Sequence, residues 1–312
     1  MAEFSHLPVM AREVVELLLP VPAGLIVDCT LGGGGHAGLL LDARPDCRLL
    51  GIDRDGIALA AARSHLERFG DRVEFVHSEF GRLREAVGPR EESVVAVLMD
   101  LGVSSPQLDQ PERGFSYRYD VALDMRMDAR QSLTAAVVVN EYDEAELASL
   151  IARYGEERFA RRVAHAIVAA RPVHTTGELV AIVTNAIPAA TRRTGGHPAK
   201  RTFQAIRMEV NRELPNLADG LDESVHLLGP GGRVLVLAYH SLEDRMVKQK
   251  MRDWADDGRS DHAVAKLPIV HGKQPLTRLL MRKALRPAPD ELLANPRSES
   301  VRLRASERIS AP

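Results

Sequence analysis

The sequence predicts an α/β protein with a mostly parallel sheet and an all-helical segment inserted into it. Three observations predict this class: strand and helix patterns alternate in the first third, helical patterns alone fill the middle third, and strand patterns return near the end. Strands that alternate with helices are joined by right-handed crossovers and form parallel sheets. A chain of 312 residues has room for one large domain or for a domain with a sizeable insertion.

Short runs rich in β-branched and apolar residues predict the strands of the first third. They cover residues 25–30, 48–53, 72–78 and 94–100. Apolar residues at helical spacing predict helices at 36–43 and 55–70 between these runs. Strand patterns return at 229–241 and at 300–308. The sheet is therefore expected to take strands from both ends of the chain.

The middle of the chain shows helical patterns without strands between them. Amphipathic segments occupy residues 143–155, 156–171 and 176–187. We therefore predict an inserted helical subdomain at 114–203, and a discontinuous sheet domain formed by 1–113 and 204–312.

Composition indicates an ordinary globular protein, with 45% hydrophobic and 27% charged residues. The two cysteines, Cys29 and Cys47, belong to no CxxC motif or Cys/His cluster, so a disulfide framework and a metal site are not expected. This cysteine usage, a first segment without the pattern of a signal peptide and the lack of a membrane-spanning stretch together predict a cytoplasmic protein. The net charge of -2 does not by itself favour nucleic acid binding, but arginine and lysine cluster locally.

A glycine-rich stretch, VDCTLGGGGHAG at 27–38, follows the first predicted strand and begins the first predicted helix. Glycines at this position let backbone N–H groups approach a ligand at the helix N-terminus. The spacing Gly33-x-Gly35-x-x-Gly38 satisfies the dinucleotide fingerprint, and Asp53 follows at the distance of a ribose-binding acid. These residues alone suit NAD and S-adenosylmethionine equally, and a tight turn without a ligand remains an alternative.

Side chains at the strand ends favour S-adenosylmethionine. A carboxylate at Asp28 would repel a pyrophosphate but attracts the cationic amino acid end of S-adenosylmethionine. Phe80, after the third strand, offers a ring to an adenine. Asp100 ends the fourth strand and is followed by a polar loop. Asp53 and Asp100 have an alternative interpretation as helix N-caps.

Several long strings resemble the ribosomal RNA small subunit methyltransferase H family. The most unusual are DLGVSSPQLD at 100–109 and AYHSLEDR at 238–245, and HPAKRTFQAIRMEVN at 197–211 is a third. The resemblance covers nearly the whole chain. It implies a class I S-adenosylmethionine-dependent methyltransferase fold, which is Rossmann-like, with a helical insertion. It also implies methylation of the exocyclic N4 of the cytidine at position 1402, in the decoding region of 16S rRNA.

The resemblance also implies which residues bind the cofactor. These residues are Gly34, Gly35, His36, Asp53, Phe80, Asp100 and Gln107. The sequence departs from the family pattern at Lys200 and Glu299, which concerns RNA contacts rather than the cofactor.

Methylation of a cytosine amine requires alignment of the amine and acceptors for its hydrogen atoms. We predict that Asp100, or Ser104 in the loop after it, serves as the catalytic acceptor. Phe115, Tyr117 and Tyr119 lie among arginines and are interpreted equally well as base-stacking or as packing residues. His240 is interpreted as a hydrogen-bonded structural histidine rather than as a substrate contact.

Basic side chains in and beside the helical segment are candidate contacts to RNA phosphates, although runs of charge are usually solvated faces. They are Arg113, Arg118, Arg192, Arg193, Lys200, Arg201 and Arg207. The expected partner is 16S rRNA within the small ribosomal subunit, with no membrane, and a homodimer is left open. The rival hypotheses are a nicotinamide-dependent dehydrogenase and a non-catalytic ribosome assembly factor.

Overall fold

The computed structural model describes residues 8–104, 107, 110–192, 196–256 and 274–309. The contacts between Cα atoms divide the chain into two compact units, which are described separately. The first combines Met1–Gly102 with Pro215–Pro312, and the second is Val103–Leu214. The predicted insertion at 114–203 lies inside the second unit.

The first unit contains a seven-stranded sheet, which confirms the predicted α/β class. Its strands in chain order are β1 (Leu25–Asp28), β2 (Arg48–Asp53), β3 (Val73–His77), β4 (Val94–Asp100), β5 (Arg233–Ala238), β6 (Thr277–Leu279) and β7 (Arg302–Arg308). They lie in the order β3-β2-β1-β4-β5-β7-β6. Each neighbouring pair in the series β3, β2, β1, β4 and β5 is parallel, and β7 is antiparallel to both β5 and β6. Only β6, three residues long, gave no signal in the sequence.

The strand order places the acidic strand ends at one edge of the sheet. Strands β2 and β4 flank β1 on opposite sides, so the order reverses at β1, where open α/β sheets bind ligands. In the register, Asp28 lies beside Gly51 of β2, and Asp100 lies beside Leu237 of β5. The carboxyl ends of β1, β2, β4 and β5 therefore meet, as the parallel topology requires.

Helices cover the first part of this sheet. They are α1 (Ala11–Leu18), α2 (Gly35–Ala43), α3 (Gly56–Leu66) and α4 (Leu83–Val87). Helix α3 is shorter than the predicted 55–70, because 3₁₀ turns follow it and Gly70 adopts a φ of 56°. Leucine, valine and isoleucine side chains of the strands and helices form a buried core, with Leu40 and Ile26 at 0% exposure.

The second unit is built from helices, as the middle of the sequence predicted. They are α5 (Ala135–Glu141), α6 (Glu144–Gly155), α7 (Ala160–Ala169), α8 (Thr176–Ala186), α9 (Ala189–Arg192) and α10 (Lys200–Val210). Capping boxes begin α6 at Asp143 and α8 at Thr175, each with a glutamate three residues later. Helices α6 and α10 approach closely, because a Cβ at Gly155 would lie 2.7 Å from the carbonyl oxygen of Arg201.

The remaining helices are α11 (Glu213–Leu227), α12 (Ser241–Ala255) and α13 (Pro289–Ala294). Helix α12 follows β5 directly, so it begins at the carboxyl edge of the sheet. Within the described ranges, no helix has both the length and the apolar character needed to cross a bilayer.

Candidate functional site

Three carboxylates mark the carboxyl edge of the sheet: Asp28 on β1, Asp53 on β2 and Asp100 on β4. Asp28 is 2% exposed and accepts a hydrogen bond from the Thr30 backbone N–H at 3.1 Å. Burial raises the pKa of Asp28 to about 7. Burial also raises the pKa of Asp100 to about 7, although a quarter of its side chain, 24%, remains exposed. This edge therefore concentrates carboxyl groups that gain or lose a proton near neutral pH.

Asp53 connects the glycine loop to the end of β2. Its Oδ2 accepts the Gly32 N–H at 2.8 Å, and its Oδ1 accepts the Asp55 N–H at 2.8 Å. The N-cap of α3 is Asp55, whose side chain accepts from Ile57 N at 3.0 Å, so Asp53 is not the cap of that helix. Each Asp53 oxygen keeps lone pairs that suit the hydroxyl donors of a ribose.

Asp100 is contacted by polar groups from three other segments of the first unit. Its backbone N–H donates to Thr30 Oγ1 at 2.6 Å, and the Tyr239 hydroxyl donates to its Oδ1 at 2.9 Å. Its Oδ2 lies 3.6 Å from Nδ1 of His36, whose Nε2 lies 2.9 Å from the Val9 carbonyl oxygen. Asp100 is thus held by Thr30 after β1 and by Tyr239 after β5, with His36 of α2 nearby.

Whether the contact between His36 and Asp100 is attractive depends on the protonation of the two side chains. The Val9 carbonyl only accepts, so Nε2 of His36 carries the hydrogen that points to it. In a neutral ring, Nδ1 then presents a lone pair to Asp100 Oδ2, and the contact is attractive only when one of the two groups holds a proton. Burial lowers the pKa of His36 and raises that of Asp100. As the pH falls, Asp100 therefore takes up a proton before His36 does.

The glycines of the loop differ in their backbone angles and in the space around them. Gly32 and Gly34 have φ of 53° and 82°, the left-handed region that favours glycine. A Cβ at Gly34 would lie 2.9 Å from Leu66 Cδ1, and one at Gly35 would lie 3.4 Å from Pro8. A Cβ at Gly32 would have only the Thr30 carbonyl oxygen nearby, at 3.9 Å. Glycine at 34 is thus favoured by its left-handed φ and by the close Leu66 side chain, whereas the space at Gly32 stays open.

Phe80 begins a 3₁₀ turn soon after β3, where sequence reasoning expected a ring. Gly220 of α11 makes room for it, because a Cβ there would lie 2.7 Å from Phe80 Cδ2. Sequence reasoning missed Gly220. The available signal was a glycine in the interior of a helical pattern, which costs about 1 kcal/mol relative to alanine unless packing requires it.

Ser104 and Gln107 belong to the second unit and bond to each other. The Ser104 N–H donates to Gln107 Oε1 at 3.0 Å, and the Gln107 N–H donates to the Ser104 carbonyl at 3.1 Å. The hydroxyl oxygen of Ser104 is buried and has no hydrogen-bond partner among the described residues. A buried hydroxyl of this kind is available to a polar ligand.

Three of the candidate RNA contacts have partners inside the helical unit. Arg113 donates to the carbonyls of residues 126 and 127, and Arg207 makes a bidentate ion pair with Glu213 at 2.8 and 2.9 Å. Arg201 donates to the carbonyl of residue 156. Arg118 and Lys200 are exposed. The side chain of Arg192 and the whole of Arg193 lie outside the described residues.

The aromatic residues of RGFSYRYD divide into different environments. Phe115 is buried, and Tyr119 is 45% exposed. The ring of Tyr117 stacks on His197, with centroids 4.5 Å apart and planes 14° apart. Phe115 therefore packs internally, while the Tyr117 ring is paired within the helical unit.

His240 has the structural environment that the sequence favoured. It is the N-cap of α12 and forms a capping box with Glu243. Its Nε2 lies 3.1 Å from Glu243 Oε1. The Glu243 backbone N–H donates to the His240 Nδ1 at 3.4 Å, so one ring nitrogen serves the start of the helix.

Comparison with known proteins shows the family. The chain matches the MraW methylase family over residues 3–309. A relative from Symbiobacterium thermophilum named ribosomal RNA small subunit methyltransferase H is 49% identical, over 99% of this chain and 98% of its own. A relative of the same name from Thermobifida fusca is 50% identical, over 99% and 94%. An rRNA methylase structure from Streptococcus thermophilus aligns over 96% of this chain and 94% of its own, with a TM-score of 0.41 and 11% identity.

Family membership confirms S-adenosylmethionine as the cofactor and excludes the nicotinamide-dependent alternative. The strand order around β1 and the antiparallel β7 agree with the predicted class I, Rossmann-like fold. The glycine loop and the acidic strand ends are therefore those of a methyltransferase. This chain belongs to the MraW methylase family of S-adenosylmethionine-dependent methyltransferases.

Proposed function

We propose that this chain transfers a methyl group from S-adenosylmethionine to the exocyclic N4 of a cytidine in the decoding region of 16S rRNA. The observation that carries the proposal is 49% and 50% identity, over nearly the whole chain, to relatives named ribosomal RNA small subunit methyltransferase H. The helical segment at 114–203 recognises the RNA in this proposal, because it presents the exposed cations Arg118 and Lys200.

The residues at the sheet edge fit the cofactor. Asp53 retains lone pairs for ribose hydroxyls, and the Phe80 ring offers a face to adenine. Buried carboxyl groups at Asp28 and Asp100 gain stabilisation as anions when a cation lies beside them. Gly34, Gly35, His36 and Gln107 complete the proposed binding set. When bound, S-adenosylmethionine supplies its methyl group from a sulfonium and becomes a neutral thioether.

The chain itself must orient the amine and receive one proton. The lone pair of the N4 atom is delocalised into the ring, so orientation towards the methyl group contributes much of the rate enhancement. The new C–N bond leaves an excess proton on N4, which the ionised carboxylate of Asp100 accepts in this proposal. Tyr239 and Thr30 fix the carboxylate and its backbone, and the buried Ser104 hydroxyl is a second acceptor for the amino hydrogens.

The test is transfer of a labelled methyl group from S-adenosylmethionine to small subunits that lack the modification, with naked 16S rRNA assayed in parallel. Digestion to nucleosides then identifies the product. We expect N4-methylated cytidine, and the better of the two substrates shows whether assembled RNA is recognised.

Two other outcomes would contradict the proposal. A methylated nucleoside other than cytidine would retain the enzyme class but change the target. Binding of S-adenosylmethionine without transfer to either substrate would favour the assembly-factor hypothesis instead.

A further inference from the structure

A basic groove lies in the first unit, beside β7 and β6, the last two strands in the order of the sheet. Helix α12 forms one wall, and the residues around β6 and β7 form the other. Four cations line it above an apolar floor, and no carboxylate lines it among the described residues. The cations are Lys248, Arg252, Arg282 and Arg304, and the floor includes Met251 and Ala305.

The local structure explains how these cations converge. Lys248 and Arg252 are four residues apart on α12, so they lie on one face of the helix. Arg304 of β7 is held through its Nε by Asp244 at 2.7 Å, a carboxylate that also accepts from Arg302 at 2.8 Å. Arg282 follows β6 and is exposed, as is Arg252. Like charges are thus brought together by three separate elements.

Three of the four cations have no carboxylate partner. Within the described part of the chain, neither Lys248, Arg252 nor Arg282 forms an ion pair. Placing like charges side by side without a counter-charge is unfavourable, and a bound polyanion removes the repulsion. The apolar floor lowers the local dielectric and strengthens the field of the cations.

The groove lies a short distance along α12 from the carboxyl edge of the sheet. Helix α12 begins at Ser241, directly after β5 and Tyr239. At a rise of about 1.5 Å per residue, Lys248 lies roughly 10 Å along the helix and Arg252 roughly 16 Å. Phosphates of a stacked strand follow one another at about 3.4 Å, so the groove lies about three to five nucleotides from that edge.

We propose that this basic groove, lined by Lys248, Arg252, Arg282 and Arg304, binds backbone phosphates of the RNA strand that carries the target cytidine. The inference rests on the proposed function for the identity of the polyanion. It adds an RNA-binding surface to the sheet unit, separate from the predicted contacts of the helical unit. Phosphate contacts position a strand without reading its sequence, so this groove contributes affinity rather than specificity.

The experiment compares two triple variants with the same change of charge. The groove variant is Lys248→Gln, Arg252→Gln and Arg282→Gln, and Arg304 is retained because it holds Asp244. The control variant is Arg48→Gln, Arg63→Gln and Arg68→Gln. These are exposed cations on β2, on α3 and in the 3₁₀ turn after α3, towards the opposite side of the sheet. Affinity for a fluorescent decoding-region RNA is measured between low and high salt, and S-adenosylmethionine affinity is measured by calorimetry.

We expect the groove variant to lose about 10- to 100-fold in RNA affinity at low salt. The slope of log affinity against log salt should fall by about 2, because each neutralised phosphate of a single strand contributes about 0.7. The control variant should lose less than about 3-fold, and both variants should bind S-adenosylmethionine as the wild type does.

Equal losses and equal salt slopes in the two variants would overturn the groove inference. If the groove variant also loses cofactor affinity, the single variant Arg282→Gln, at an exposed position after β6, replaces it. It must then weaken RNA binding and lower the salt slope by about 0.7, or the inference is wrong. The proposed function is tested separately, by methylation of small subunits with the wild type. It fails if the wild type is inactive or methylates a nucleoside other than cytidine, whatever the groove variant does.

Discussion

The acidic edge of the sheet and the basic residues of the helical unit hold their charged groups in different ways. At the edge, Asp53 and Asp100 accept hydrogen bonds from a backbone N–H and a hydroxyl, so their carboxyl groups are held in place while other lone pairs stay available. In the helical unit, Arg113 and Arg207 already bond to carbonyls and to Glu213, whereas Lys200 faces solvent. Charge at a sequence position therefore does not by itself distinguish a ligand contact from an internal bond.

The largest expected effect tests the acidic edge. Asp100→Asn removes the proton acceptor but keeps the shape and the Tyr239 hydrogen bond. We expect kcat to fall by about 100-fold or more, the range for loss of an acid–base group, while S-adenosylmethionine affinity changes far less. Single-turnover methyl transfer and calorimetric binding measure the two quantities. Unchanged turnover would remove Asp100 from the chemistry.

The second prediction compares an ion-paired cation of the helical unit, Arg207, with an exposed one, Lys200, by their effects on stability and RNA binding. Arg207→Gln breaks a partly buried bidentate ion pair and leaves Glu213 without its partner, so we expect a loss of about 2–4 kcal/mol in unfolding free energy. Lys200→Gln, the matched control, should leave stability unchanged and lower the salt slope of RNA binding by about 0.7. Denaturant unfolding of both variants decides this. If the two variants had the same unfolding free energy, the ion pair of Arg207 would not contribute to stability, and the distinction between Arg207 and Lys200 would be wrong.

The third prediction concerns the ring beside the proposed adenine position. Gly220→Ala should improve the propensity of α11 by about 1 kcal/mol, yet its Cβ would collide with Phe80. We therefore expect S-adenosylmethionine affinity to fall by about 10-fold, since a displaced aromatic contact costs roughly 1–1.5 kcal/mol. Asp219→Ala, an exposed neighbour on the same helix, is the control. Full affinity in Gly220→Ala would show that the ring does not contact the cofactor.

The smallest effect is a shift in pH dependence. The Tyr239 hydroxyl stabilises the Asp100 anion, so Tyr239→Phe should raise the pKa of Asp100 further above its usual range. Because the ionised form is the active one, activity is lost as pH falls through this pKa. The acidic limb of the rate profile should therefore move about 0.5–1 unit to higher pH, with little change at pH 9. Tyr119→Phe, an exposed tyrosine of the other unit, should leave the profile in place.

Sequence alone determined the features that depend on near neighbours along the chain. The alternation of strand and helix patterns predicted β1 to β5 and β7, and the acids at the strand ends followed from the parallel topology. Family strings supplied the cofactor, because long motifs are more specific than a glycine pattern. Helix starts at Asp143 and Thr175 were likewise readable, since a capping box spans only four residues.

Only the tertiary structure decided which groups touch across the fold. Tyr239 and Asp100 are 139 residues apart in the sequence. The contact of Gly220 with Phe80 and the convergence of four cations at the basic groove also join distant segments, so no short sequence pattern predicts them. These contacts depend on the crossovers that order the strands and on how closely helices approach the sheet. Because side-chain periodicity fixes only which face of an element is buried, the partner on that face is set by the packing of the whole unit.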